Sequence, residues 1–384
     1  MHFLLYLLIF ISFTDLFAQL PITSTYAQSL SAATGFIGFI VGAYSLTNLF
    51  SNVFAGHFID SKGPKKVMIV GFLLNGIILF LYSVVTSPVQ LLFVRFLNGI
   101  TAGVITPAAF TYITLYNKDK NSGKTMAYAG AAVGLAAICG PAFSGIISSK
   151  AGPEVVFVTL AAFMILGGLL TLILKPLHKK QKIVEKIDSS LIDYLPLFKN
   201  KGLIVSFVGA LSLAASQGVL AYMLPLKVTS LQMEDHISGM LMSIFGIVAI
   251  LIFVLPTNRI YDRYQSHNIL AIGLLFVALS QTFSSLVGSL PLLIISMCIY
   301  GVGFAFIFPS MSALISEHST TNTRGKAFGL FYGFFSLGSF LGSSITGMFS
   351  LSPDQGFVSI AIFLIIISIL IYVMVRKSNV NHAK

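Results

Sequence analysis

Two charged side chains stand where charge is expensive. Asp15 interrupts the apolar run that begins the chain, and Arg95 interrupts another between residues 89 and 113. Most other acidic residues fall in loops or at helix ends, and no other Lys or Arg lies as deep. An ionisable group within hydrocarbon faces a bundle interior or a water-filled cavity, where it handles ions, protons or substrate. Counted along helices, Asp15 lies ~17 Å and Arg95 ~21 Å up a ~30 Å core, close enough to pair or to share a cavity. Gln19 stands one turn above Asp15 on the same face. A carboxylate so placed can bind and release a proton, or hold a cationic substrate, as its access to water changes, and Arg95 can tune it. A static buried pair that fixes packing is the alternative.

The composition says what must position these two groups. Of 384 residues, 56% are hydrophobic and 9% charged, and the mean hydropathy is +0.92. A soluble globular chain carries about 25% charge, so this one could not cover its surface in water. The apolar runs are about 20 residues long and do not alternate with period two, which excludes an outer-membrane barrel. Twelve transmembrane helices are expected, at 3–22, 33–55, 67–86, 89–113, 125–149, 155–174, 203–225, 238–256, 268–287, 290–314, 326–349 and 356–375. The opening run reads as a first span, not a cleaved signal: it has no basic n-region, Asp15 interrupts it, and no A-x-A site follows. Alternate loops and the C-terminal tail hold 20 of the 23 Lys and Arg. The positive-inside rule then predicts that both termini are cytoplasmic. The net charge of +11 thus reports orientation and contact with anionic lipid, not nucleic acid. Cys139 and Cys298 lie inside apolar runs and read as core residues, with no disulfide or metal site.

A shift of 202 residues lays the first half on the second. Gly71 meets Gly273, Gly99 meets Gly301, Gly123 meets Gly325, Gly140 meets Gly342 and Gly145 meets Gly347. Chance predicts about 1.4 such glycine matches, so the coincidence marks a repeat. Pro107/Pro309, Asp60/Asp262 and Lys124/Lys326 also coincide. The expected fold is all-α and integral to the membrane, with two six-helix pseudo-repeats of the same direction. The first spans 1–174, a cytoplasmic central loop 175–202, and the second 203–384. Parallel repeats of this kind are a transporter architecture, with the site near the midplane and one half rocking against the other.

The loop after the second span reads Gly56-His57-Phe58-Ile59-Asp60-Ser61-Lys62-Gly63-Pro64-Lys65-Lys66. Gly56 and Gly63 would permit a tight turn. Asp60 suits a helix N-terminus, and Lys65 and Lys66 suit lipid headgroups. This loop resembles the G-x-L-x-D-R-x-G-R-K loop of the major facilitator superfamily. Gly56, Asp60, Gly63 and Lys65 match, while Ser61 and Pro64 replace the usual basic residues. The second copy, Asn258 to His267, keeps only Asp262-Arg263. The fourth span reads Leu91-x-x-x-Arg95-x-x-Asn98-Gly99-x-Thr101-Ala102-Gly103 and is similar to the L-x-x-x-R-x-x-Q-G-x-G-A signature of proton-coupled members. In the fifth span Gly140-Pro141 and Gly145 fit part of the glycine-rich run of the superfamily's exporters, while Ala127, Ala136 and Ser144 stand where glycines are expected. Asp15 followed by Pro21 looks like the first-span acid of its drug–proton antiporters. The resemblance implies alternating access, with Asp60 as a cytoplasmic latch against the start of the eleventh span, where Arg324 and Lys326 lie. It also implies that Asp15 carries the proton beside Arg95, and that a small organic solute leaves in exchange for protons.

Helices that line the site in this superfamily offer Gln19, Tyr44, Asn98, Gln217, Tyr300, Tyr332 and Ser336 as cavity candidates, although each could equally be a helix–helix hydrogen bond. With 34 Phe and few cavity charges, the site suits an amphipathic or apolar molecule. A carrier for one hydrophilic metabolite, such as a sugar, an amino-acid derivative or a metal-chelating metabolite, is the alternative. Gly123-Lys124-Thr125 lacks the glycine that a phosphate-binding loop needs five positions earlier, where Lys118 stands. No catalytic His, carboxylate or nucleophile motif appears. The expectation is therefore no enzyme and no cofactor, with energy drawn from an ion gradient. The protein is expected to be a monomer in a bacterial inner (plasma) membrane, in contact with lipid, protons and a small-molecule substrate.

Overall fold

Proline and glycine set many of the helix boundaries. In a computed structural model, residues 2–116, 122–175, 191–254, 264–319 and 323–382 are described. The helices are α1 (His2–Gln19), α2 (Thr23–Ser29), α3 (Thr34–Lys62), α4 (Pro64–Leu81), α5 (Pro88–Tyr116), α6 (Ser122–Ala151) and α7 (Pro153–Leu172). They continue as α8 (Lys201–Ser230), α9 (His236–Val254), α10 (Ser266–Leu286), α11 (Leu290–His318), α12 (Arg324–Met348) and α13 (Pro353–His382). Proline opens α4, α5, α7 and α13, where its missing N–H would be unpaired anyway. A 3₁₀ segment, Leu191–Lys199, precedes α8 within the expected central loop, and Asn200 then caps α8 by accepting from the N–H of Gly202 at 3.0 Å.

Among the described residues ten helices are long and apolar enough to cross a membrane, or eleven if α1 and α2 form one bent span. The expected span at 238–256 coincides with α9, a shorter apolar helix; residues 255–263 lie outside the described residues. The expected first helix, 3–22, is corrected. It breaks after Gln19, and α2 departs at 47°. Pro21 lies in the break and has no N–H to continue the ladder. The Thr23 hydroxyl takes over the Gln19 carbonyl at 2.6 Å, a bond an unbroken helix would give to the Thr23 N–H.

The turn assigned to Gly56 and Gly63 is also corrected. Gly56 lies inside α3, and Gly63 alone makes the turn, with φ 81°. A single residue therefore separates α3 from α4. The Lys65 ammonium bonds the Leu172 carbonyl at 2.8 Å, at the electronegative C-terminus of α7. Lys66 is exposed.

The starts of α3 and α9, α4 and α10, α5 and α11, and α6 and α12 are each 202 residues apart. The helices alternate in direction, so the described residues 62–66, 172–175, 191–201, 318–319 and 323–324 share one end, which holds Lys62, Lys65, Lys66, Lys175, Lys199 and Lys201. At the opposite end α3 meets α12 and α6 meets α9 through bare backbone. A Cβ on Gly38 would collide with the Ser343 carbonyl oxygen, and one on Gly239 would collide with that of Pro141. Gly145 abuts His236 and Gly239 of α9, and its repeat partner Gly347 abuts Gly35 and Gly38 of α3. Towards the basic end this backbone contact is not repeated: a Cβ on Gly56, Gly130 or Gly329 would meet nothing within 4 Å. The halves are thus packed backbone on backbone at one end, with open space beside these three glycines towards the other.

Gly239→Leu would drive a side chain into Pro141 and prevent that closure. Such overpacking costs about 1–3 kcal/mol, enough to shift a two-state equilibrium at least about fivefold. Single cysteines placed near Gly38 and near Gly329 in a cysteine-free background report the shift. The Gly38 site should gain reactivity towards a bulky thiol reagent and the Gly329 site should lose it. Unchanged reactivity at both sites would show that this glycine contact does not control closure.

Candidate functional site

Asp15 lies on α1, which packs against α6, α7 and α5, and is 1% exposed. Its two carboxylate oxygens are both occupied. Oδ1 accepts from Gln19 Nε2 at 2.7 Å, and Oδ2 accepts from Asn75 Nδ2 of α4 at 2.9 Å. Arg95 on α5 is 5% exposed and reaches the same cluster from the other side. Its Nη1 donates to Gln19 Oε1 at 2.5 Å. Its Nε and Nη2 donate to the carbonyls of Ile40 and Val41 on α3, at 3.3 and 2.9 Å, and its guanidinium lies 5.2 Å from the centre of the Tyr44 ring. These contacts replace the water that the cation has lost.

Asp15 and Arg95 therefore do share one site, as their depths suggested, but they form no direct ion pair. The Gln19 amide stands between them. Gln19 is the last residue of α1, and the break at Pro21 leaves it there, one turn above Asp15 and facing α5. The amide carries opposite ends to opposite partners, with its carbonyl on the guanidinium and its NH₂ on the carboxylate.

The network runs on through residues that the sequence reading did not single out. Asn75 Oδ1 accepts from Asn98 Nδ2 at 2.8 Å and from the Thr101 hydroxyl at 2.7 Å. The Tyr82 hydroxyl donates to Asn98 Oδ1 at 3.2 Å, and the Tyr82 ring stacks on Phe157 with centroids 4.0 Å apart. Asn75 could have been found from sequence, because an amide in the middle of the expected span 67–86 breaks the same rule as a charge.

The other expected site residues are dispersed. Asn98 is fully buried inside the network, and Tyr44 lies beneath Arg95. Tyr300 is fully buried in the second repeat, where its hydroxyl is 3.1 Å from Ser216 Oγ; Gln281 Nε2 donates to the same Ser216 oxygen at 2.9 Å. Gln217 is half-buried, Ser336 is buried, and Tyr332 is 48% exposed against the edge of Phe331. Gly140 packs on Ala18 and Phe17 of α1, while Pro141 and Gly145 face α9. The side chains of Asp60 and Arg324, on which the expected latch depends, lie outside the described residues.

A bundle of membrane-length helices in two repeats offset by 202 residues, with polar groups buried among the helices, defines a membrane transporter. The sequence profile of the Major Facilitator Superfamily matches residues 5–248 and 205–384. The chain belongs to this superfamily: it is a multi-pass plasma-membrane transporter of small molecules, not an enzyme. It is 23% identical to multidrug resistance protein 2 of Bacillus subtilis, over 88% of this chain and 86% of that one. It is also 23% identical to the quinolone resistance protein NorA of Staphylococcus aureus, over 90% and 88%. Among solved structures, the nucleoside transporter NupG aligns with TM-score 0.79 at 20% identity, over 97% of this chain and 98% of that one.

Gln19→Met keeps the bulk of the side chain but leaves Arg95 and Asp15 each short of one charge-assisted bond. A buried ionic group that loses a partner costs about 1.5–3 kcal/mol. Thermal unfolding of the detergent-solubilised protein should show a Tm lower by several degrees. An unchanged Tm would mean that the amide bridge carries no such weight.

Proposed function

We propose that this transporter exports an amphipathic or apolar organic solute in exchange for protons, and that Asp15 is the group that carries the proton. The observation that carries the reading is the Asp15 site itself: a carboxylate at mid-depth, held by neutral amides, with the nearest cation one amide away. A directly paired carboxylate would be locked in its ionised form by its partner. Here Arg95 favours the anion from a distance and leaves it free to take a proton. The efflux proteins named among the relatives support export, and so does the Gly140–Gly145 segment at the contact with α9. The second repeat supports an apolar cargo, with Phe304, Phe308, Phe331 and Phe335 forming a chain of ring contacts 5.9–6.5 Å apart between α11 and α12.

On this reading the units 1–174 and 203–384 rock about the midplane, and the basic end, including both termini, faces the cytoplasm. A state open at that end would then be the one that takes up cargo from inside. The protein works as a monomer in contact with anionic lipid, and Asp60 latches the cytoplasmic end when the other end opens.

Proton flux in inverted membrane vesicles tests the reading. An imposed pH gradient is followed while lipophilic cations and small hydrophilic metabolites are added in turn. Collapse of the gradient by lipophilic cations, abolished in Asp15→Asn, is the expected result. Collapse by one hydrophilic metabolite alone would favour the specific-carrier reading. Full pH-driven transport by Asp15→Asn would remove Asp15 from the proton path.

A further inference from the structure

The bonds around Asp15 have a direction. Arg95 can only donate, so Gln19 must turn its carbonyl to Arg95 and its NH₂ to Asp15. On the other arm the Tyr82 hydroxyl donates to Asn98, Asn98 donates to Asn75, and Asn75 donates to Asp15. Both arms end in N–H donors aimed at the carboxylate. That arrangement suits the anion. A protonated carboxyl brings an O–H of its own and needs an acceptor, so one arm must turn over.

The two arms differ in whether they can. Turning Gln19 would set its NH₂ against the guanidinium, donor against donor, and Arg95 has no acceptor to offer. The Asn75 arm ends in hydroxyls, which rotate. Thr101 Oγ1 lies 2.7 Å from Asn75 Oδ1 but also 3.1 Å from the carbonyls of both Leu97 and Asn98. Its proton can move to either carbonyl while its oxygen accepts from a reversed Asn75 NH₂. Asn98 and the Tyr82 hydroxyl can turn in sequence.

We propose that Asn75 is a positioning residue that reads the protonation state of Asp15: it presents its NH₂ to the carboxylate and, turned over, its carbonyl to the carboxylic acid, while Gln19 and Arg95 stay fixed. The inference rests on Asp15 as the proton-carrying group. No covalent bond on Asn75 changes, and the proton remains on Asp15. Reversal breaks the bonds that Asn98 and Thr101 make to the Asn75 carbonyl, and these bonds tie α4 to α5. Proton uptake by Asp15 on α1 is thereby felt at the contact between α4 and α5.

The charged group facing Asp15 is Arg95, with the phenols of Tyr44 on α3 and Tyr82 after α4 nearby. Of the other helices packed on α1, α6 brings Tyr128 beside Tyr6, an exposed Cys139, and Lys150 in its last turn; α7 brings Glu154 in its first turn. α2, which continues from α1 after the break, brings Tyr26, whose hydroxyl bonds the Tyr82 carbonyl at 2.7 Å.

Infrared titration of the purified full-length protein tests the proposal without knowledge of the substrate. The spectrum is followed between about pH 4 and 10, the range in which a buried carboxyl titrates. The protonated-carboxyl band that titrates in wild type and is missing in Asp15→Asn belongs to Asp15. In Asn75→Ala this band should move to the frequency of a carboxyl without a hydrogen bond, and its midpoint should shift to higher pH by about one unit, as expected for one lost bond to the anion. In Gln19→Met the band should keep its bonded frequency, because Asn75 still accepts from the acid. If Asn75→Ala does not fold, wild type with ¹³C-labelled asparagine serves: a side-chain amide band should shift together with the Asp15 titration and be silent in Asp15→Asn. If the Asp15 band titrates but neither the Asn75→Ala change nor the asparagine band appears, the Asn75 proposal falls and Asp15 stands. If no titrating carboxyl disappears in Asp15→Asn, Asp15 binds no proton and both readings fall.

Discussion

Hydrocarbon offers no hydrogen bonds, so every polar group that enters the membrane must bring its partners with it. The Asp15–Gln19–Arg95 chain meets this demand in an unusual way. A carboxylate and a guanidinium in contact would satisfy each other and become hard to separate. An amide between them lets each keep a charge-assisted bond while the two remain electrically distinct. The geometry requires that Gln19 end its helix. If α1 continued straight through Leu20 to Ile22, its backbone would be committed to the ladder that Pro21 interrupts. The break at Pro21, the position of Gln19 and the reach of Arg95 from α5 are one design, and the backbone carbonyls of α3 complete it.

The repeat was legible because it is written in glycine. Gly145 and Gly347 sit where two backbones touch, a requirement that admits no side chain and therefore survives in both copies. Arg95 and Asp15 were legible because a charge in an apolar run has few innocent explanations. Other features were hidden for physical reasons. An asparagine in a span is common enough to pass unnoticed, and Asn75 matters only because its amide reaches Asp15 of α1 on one side and Asn98 and Thr101 of α5 on the other. Gly56 and Gly63 look alike in the loop motif, yet only Gly63 has a positive φ; the difference lies in where α3 stops, which composition does not fix. The single-residue junction also brings Lys65 to the end of α7.

Comparison of the two repeats sharpens what the site is for. At the 202-residue offset Asp15 corresponds to Gln217, Arg95 to Met297, Asn75 to Val277 and Asn98 to Tyr300. The second repeat keeps a buried polar cluster at the same depth, Ser216 with Tyr300 and Gln281, but every ionisable member except a phenol is gone. The ring contacts of α11 and α12 lie beside it. Duplication followed by this divergence separates the labour proposed here: one half retains the groups that respond to protons, the other presents aromatic surface. An ion site and a cargo site on opposite halves can influence each other only through the relative position of the halves, and this is the condition for exchange rather than leak.

The contact between the halves has the character such coupling needs. In lipid there is no hydrophobic drive to press helices together, so association rests on close packing and on a few hydrogen bonds. At the closed end the packing is backbone on backbone, at Gly38 with Ser343 and Gly239 with Pro141. Among the described residues the polar links that cross there include the Tyr222 hydroxyl to the Thr34 carbonyl at 2.5 Å, Ser243 to the Ile138 carbonyl at 2.7 Å, and Ser45 to Ser339 at 3.0 Å. None is an ion pair. One ion pair at this end, Lys227 with Asp354, joins α8 to α13 within the second repeat and would travel with it. Among the described residues at this end, dispersion and neutral hydrogen bonds hold the halves to each other. Neutral bonds of about 1 kcal/mol each can be exchanged for water as that end opens, whereas a buried ion pair across the seam would resist separation by several times as much. The amide reordering proposed beside Asp15 exchanges bonds of the same size as the links that hold the closed end shut, so one can bias the other.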